Sequence, residues 1–172
     1  MDGEPRIRQA IAERVRDFWH AHGASPRGGL SAEDIAAVET RLSVSLPADI
    51  VRFFRTVNGT EGTCGDLFEA WSLDRVGAVP EVLAEHGGAP DYRRISQTLP
   101  NAAEYFVFAD AMIWSQVLAV RVARGATTEV VWISGSSFAS VAPSFETFWE
   151  RYLAKPDTVV WAVGASIQSS AG

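Results

Sequence analysis

Seven carboxylates, Glu61, Asp66, Glu69, Asp74, Glu81, Glu85 and Asp91, fall within residues 58–91 against a single base, Arg75. Residues 1–57 hold eight acids and eight bases and residues 92–172 hold six of each, so the whole net charge of -6 resides in that one segment. Carboxylates at this density can hold a divalent cation, move protons, or meet a basic surface. A cation site needs several oxygens in a tight array, and no EF-hand-like spacing is present. No acid/base pair, nucleophile or metal set stands out, although carboxylates brought together only by folding are invisible in a sequence. A basic partner is the better match, because the acids are interleaved with Leu67, Phe68, Trp71 and Leu73. Complementary charge accelerates encounter and a desolvated Trp can carry much of the binding energy. The candidate partner-binding residues are Glu61, Asp66, Glu69, Trp71 and Asp74, with Asp110 at the end of the apolar run Phe106 to Ala109. The plainer reading also stands: a loop solvated by its acids, pinned to the core by Trp71 and Leu73, with Asp110 capping the turn that follows it.

Other reactive side chains offer less. His20 and His22 close an amphipathic run, where a cationic group suits the negative end of a helix dipole better than it suits a metal. Ser134-Gly135-Ser136-Ser137 follows an apolar run but lacks the Gly-x-Ser-x-Gly elbow, and reads as a turn. Phosphate loops of the Gly-x-x-x-x-Gly-Lys type are absent, Cys64, as the single cysteine, cannot form an intramolecular disulfide, and no Cys/His cluster has the spacing of a structural zinc site. The expectation is a protein without catalysis, cofactor or metal.

Bulk properties narrow the partner further. An acidic chain of pI about 5.0 is repelled by phosphate backbones, which argues against nucleic acid. No apolar run reaches the roughly 20 residues that span a bilayer, and the N-terminus has acids where a signal peptide carries bases, so no membrane contact and a cytoplasmic location are expected. Fourteen of the 15 bases are arginine, a bias that fits a GC-rich, bacterial coding sequence. At 172 residues, with 47% apolar and 21% charged residues, one domain with its own core is expected. No pattern fixes an oligomeric state.

The elements that must position these residues follow from periodicity. Ile7, Ile11, Val15 and Phe18 recur at helical spacing, predicting a helix over 4–22 that Gly23 ends. Residues 24–29 read as a linker. Ser31 with Asp34 marks an N-cap, opening a helix with Ile35, Val38 and Leu42 on its face. Pro47 suits the first turn of a third helix carrying Ile50, Phe53, Phe54 and Val57, with Asn58-Gly59 just past its end. Residues 78–86 read as a short helix, and residues 105–109, 117–122 and 130–133 as three strands, the last two joined through Gly125. Pro143 opens a final helix through Phe145, Phe148, Trp149, Tyr152 and Leu153, which Pro156 ends. Residues 158–163 read as an edge strand and 164–172 as a mobile tail. Trp114, Trp132 and Trp149 are expected in the core.

The string ETRLSVSLPADIVRFFRTVNG, Glu39 to Gly59, is similar to a signature of the SMI1/KNR4 (SUKH) superfamily: a helix bearing a glutamate, Leu-Pro, then an aromatic helix closing on Asn-Gly. VFAD (Val107 to Asp110) and SFETFWERYL (Ser144 to Leu153) follow in the order the resemblance requires, which covers roughly Leu30 to Leu153. The resemblance implies an α+β fold, helices packed on one antiparallel or mixed β-sheet, and a role as a protein-binding module. In bacteria such modules are frequently immunity proteins that neutralise toxins, many of them nucleases; fungal members act in cell-wall regulation. The leading expectation is therefore an immunity protein that binds a basic cognate toxin. A regulatory or scaffolding module without a toxin partner is the alternative, and an enzyme with an unrecognised carboxylate site ranks third.

Overall fold

The computed structural model describes residues 9–64 and 67–160. Helix α1 (Ile11–Ala21) leads to a short strand β1 (Pro26–Gly28), then to α2 (Ala32–Leu42) and α3 (Ala48–Thr56). Strands β2 (Val57–Thr60), β3 (Phe68–Ala70) and β4 (Gly77–Ala78) follow, then the one-turn helices α4 (Val79–Leu83) and α5 (Ile95–Thr98) and a 3-10 turn (Ala102–Glu104). Three hairpins link β5 (Tyr105–Ala111), β6 (Gln116–Arg121), β7 (Val130–Ser134) and β8 (Ser137–Ala142), and the chain closes on α6 (Phe145–Ala154) and α7 (Asp157–Val160). The arrangement is α+β, as expected: helices pack on an antiparallel sheet of order β3-β5-β6-β7-β8, in which β4 also pairs with β5.

Both faces of this sheet are covered. Phe106, Phe108, Leu118, Val120, Val130 and Trp132 face a core shared with α1, α2, α3 and α6. Their alternates Tyr105, Val107, Val117, Ala119, Val131 and Ile133 face a second, smaller core with Trp71, Leu83, Tyr92 and Ile95. Successive strand residues point to opposite faces, so two-sided burial explains why these strands read as continuous apolar runs. The larger core is dominated by aromatic rings around Trp149, which stacks on Phe53 at 4.8 Å and meets Trp19 and Phe148 edge-on.

Local chemistry explains most boundaries. Ser31 accepts from the Asp34 N–H while Asp34 accepts from the Ser31 N–H, a full capping box. Ser144 caps α6 with its side chain alone, accepting from the Thr147 N–H at 3.1 Å. Several expectations need correction. Helix α1 starts at Ile11, with Gln9 and Ala10 outside it, and it buries Ala12, Val15 and Trp19, while Ile11 and Phe18 are only partly covered; residues 4–8 lie outside the described residues. The expected linker contains β1, whose pairing with β2 turns Asn58-Gly59 into strand rather than a helix cap. The segment beginning at Ser137 is strand β8, only Gly135 and Ser136 forming the turn. Residues 157–160 are helical, not an edge strand, because Pro156 O accepts from the N–H groups of Val159 and Val160 and both valines are buried. Residues 161–172, including the expected tail, lie outside the described residues, as does Asp66.

Candidate protein-binding face

Strand β3 sets the candidate residues against β5, with Phe68 opposite Ala111 and Glu69 opposite Asp110. The chain then enters the smaller core through Trp71, 2% exposed. Its indole N–H donates to Asp110 Oδ2 at 2.7 Å, and the other carboxylate oxygen accepts from the Trp114 N–H at 3.2 Å. Asp110 is itself 2% exposed, and burial is the main reason its carboxyl is held above the ordinary carboxylate range. The hydrogen bonds from Trp71 and Trp114 oppose that shift, Glu69 adds to it, and Arg75 opposes it. Trp71 and Asp110 thus meet each other inside the protein and present almost no surface outward.

Of the acids, Glu69 lies beside this pair. Glu69 is half-buried and accepts from Arg75 at 2.5 Å, while the Arg75 guanidinium sits 4.5 Å over the Trp71 ring. Arg75, the only base of the acidic segment, is therefore committed locally. Glu61 is exposed, 3.9 Å from the Arg27 guanidinium, a pair too open to add much stability. Asp91 is clasped by Arg93, whose side chain and backbone N–H hold its carboxyl down at about 2. Asp74, Glu81 and Glu85 are exposed and belong to none of the ion pairs among the described residues.

One feature of this end of the sheet has little signal in the sequence. The β5–β6 turn places Met112, Ile113 and Trp114 in succession at φ 51°, 52° and 65°, and Leu67, beside it, at φ 60°. Short hairpin turns with positive φ favour Gly, Asn or Asp, and a β-branched residue there is a real outlier. Each such residue costs roughly 1–3 kcal/mol, and persists only where its surroundings hold it. Here the Met112 N–H donates to Leu67 O at 3.0 Å, the Tyr92 hydroxyl to Trp114 O at 2.8 Å, and Asp110 holds the Trp114 N–H. His86 stacks on the Trp114 ring at 4.4 Å, leaving Trp114 partly covered instead of fully in the core. Among the described residues, Leu67, Met112, Ile113 and Phe138 are the large apolar residues left exposed, Ile113 at 79%. All four sit at one end of the sheet, since Leu67 touches the β5–β6 turn and Ser134 Oγ, beside the β7–β8 turn, donates to Ser115 O at 2.9 Å. The one trace in the sequence is Met-Ile-Trp-Ser filling a hairpin gap that turn chemistry would give to glycine.

Chemistry elsewhere is sparse. His22 Nδ1 lies 2.8 Å from Phe18 O and its ring stacks on Phe18, consistent with a helix-end role. Among the described residues no group of three or more His, Cys, Asp or Glu side chains converges as a metal site would require. A cleft of about 450 Å³ between α1 and α3 is lined by Ile11, Asp49, Arg52 and Phe53. Asp49 there accepts the Thr128 hydroxyl at 2.8 Å.

The model of the SMI1 / KNR4 family (SUKH-1) matches residues 29–151. The curated proteins give no match.

Proposed function

Because this chain belongs to the SMI1 / KNR4 family (SUKH-1), a family that supports an immunity-type, protein-binding module in general, we propose that it binds a basic cognate toxin of bacterial origin and blocks that toxin's active face. It does so without catalysis of its own. The observation that carries the reading is the confinement of the net charge of -6 to residues 58–91, with Asp74, Glu81 and Glu85 at the surface and outside the described ion pairs. Such a surface raises the encounter rate with a positively charged partner and disfavours acidic ones. A nuclease's phosphate-binding face carries the complementary charge. Within this reading Glu61 and Asp74 supply the outward field, Asp66 contributes by its charge in the sequence, and Trp71 and Asp110 form the rigid support beneath Glu69.

The test is capture from the native cell's lysate with wild type and with Glu61→Lys/Asp74→Lys/Glu85→Lys, three exposed positions whose replacement leaves the core intact. Circular dichroism checks the fold of both. The expected result is one basic protein retained by wild type, lost by the charge-reversed form, and inhibited by wild type in a toxicity assay. Equal capture by both forms overturns the acidic-face reading, and a captured protein with no toxic activity favours a regulatory module.

A further inference from the structure

We propose that the strained β5–β6 turn is the hydrophobic anchor of the interface, with Ile113 and Met112, flanked by Leu67 and with Phe138 at the same end of the sheet, entering an apolar pocket on a basic partner protein. The proposal rests on the protein-binding reading above and specifies the contact within it. Scattered exposed apolar residues need no explanation, but here Leu67, Met112, Ile113 and Phe138 gather at one end of the sheet. Ile113 and Met112 do so in a backbone conformation that glycine would adopt without cost, held from beneath by Asp110 and Tyr92. A turn with no task outside the fold would relax to Gly, Asn or Asp; local rules are broken where function requires it. Folding gains almost nothing from a side chain 79% exposed, so the benefit of isoleucine lies in what it touches outside.

Charge selects the occupant. Strand β3, which pairs with β5 beside the turn, belongs to the segment of seven acids and one base, and that base is held by Glu69 and Trp71. Glu85 is exposed next to His86, whose ring lies on Trp114. An apolar tip with Glu69 and Glu85 beside it, on a chain of net charge -6, resembles the core and rim of an interface, and it disfavours a second copy of this acidic chain and an anionic membrane alike.

The test replaces Ile113 with p-benzoylphenylalanine in the full chain, with the same photoreactive residue at Thr127 in the β6–β7 connection as control, and irradiates both in native lysate. Position 113 should cross-link to one basic protein and position 127 to none. That protein, produced recombinantly, should bind Ile113→Ser at least about tenfold more weakly, because an isoleucine leaves a pocket, and Met112→Ser several-fold more weakly. Ile113→Leu should bind close to wild type, and Thr127→Ala should match it. Cross-linking only to a second copy of this chain, only to lipid, or to nothing overturns the anchor. So does unchanged affinity of Ile113→Ser; if the charge-reversed form then still loses the partner, the acidic-face reading survives and the anchor alone fails.

Discussion

Gly59 and Gly62 share a backbone conformation and differ in their surroundings, which allows the cost of a contact to be measured against the cost of a dihedral angle. Both have φ +73°, yet a Cβ on Gly62 would meet nothing within 4 Å, whereas on Gly59 it would lie 2.5 Å from Ala70 O and 2.6 Å from the Trp71 carbonyl. Alanine in the left-handed region costs about 1–2 kcal/mol, and the stiffer unfolded chain returns about 0.4–1 kcal/mol. Gly62→Ala should therefore lower stability by about 0–1.6 kcal/mol. Gly59→Ala carries the same terms and must in addition push back the backbone of β3, comparable to overpacking a core, so it should cost about 1–3 kcal/mol more than Gly62→Ala. With a urea dependence of about 2 kcal/mol per molar, the Gly59→Ala midpoint should lie about 0.5–1.5 M below that of Gly62→Ala. Tryptophan fluorescence is the suitable probe, because Trp71 directly follows the displaced strand and its carbonyl is one of the groups pushed back. Equal midpoint shifts would refute the reasoning, since they would mean that β2 does not press on β3 as described.

Three further outcomes are expected. The folded-state pKa of Asp110 lies above the ordinary 3.8, so the folded protein binds more protons between the two values, and its stability should fall as pH rises through that window. Asp110→Asn should flatten this dependence in urea melts stepped through it, and parallel profiles would show that burial of the charge is not the cause. Ser31→Ala removes the capping box of α2 and should cost about 1 kcal/mol in the same melts. The Asp91 carboxyl should titrate at about 2 by carbon-detected NMR and move up toward the ordinary range in Arg93→Gln, with no movement if the clasp is absent in solution.

The parts of the fold written in local chemistry were legible. Ser31 with Asp34, Pro47, and the aromatic periodicity of α6 each state their own boundary, and the runs that became β5, β6 and β7 were readable because burial on both faces makes them continuously apolar. The family match over residues 29–151 falls on nearly the same span as the resemblance read from Leu30 to Leu153. Elements defined by a distant partner were not legible. β1 and β2 exist because they pair with each other, β8 is a serine-rich edge given its conformation by β7, and Val159-Val160 has strand propensity overridden by one turn of helix after Pro156. The acidic segment was readable as composition. That Trp71 turns inward onto Asp110 while Ile113 turns outward depends on the β3–β5 register, which no local pattern encodes.

Strand β5 pairs with β3, β4 and β6 and is buried along its whole length, so its amide protons should be among the last in the molecule to exchange with solvent. The outward-facing turn begins at the very next residue. A turn fastened directly to that strand, acting as the proposed anchor, would meet a partner already shaped, with little disorder to surrender on association. Complex formation should then proceed at the pace of encounter, governed by ionic strength rather than by a conformational step, and the tightness of the complex should show mainly in slow dissociation.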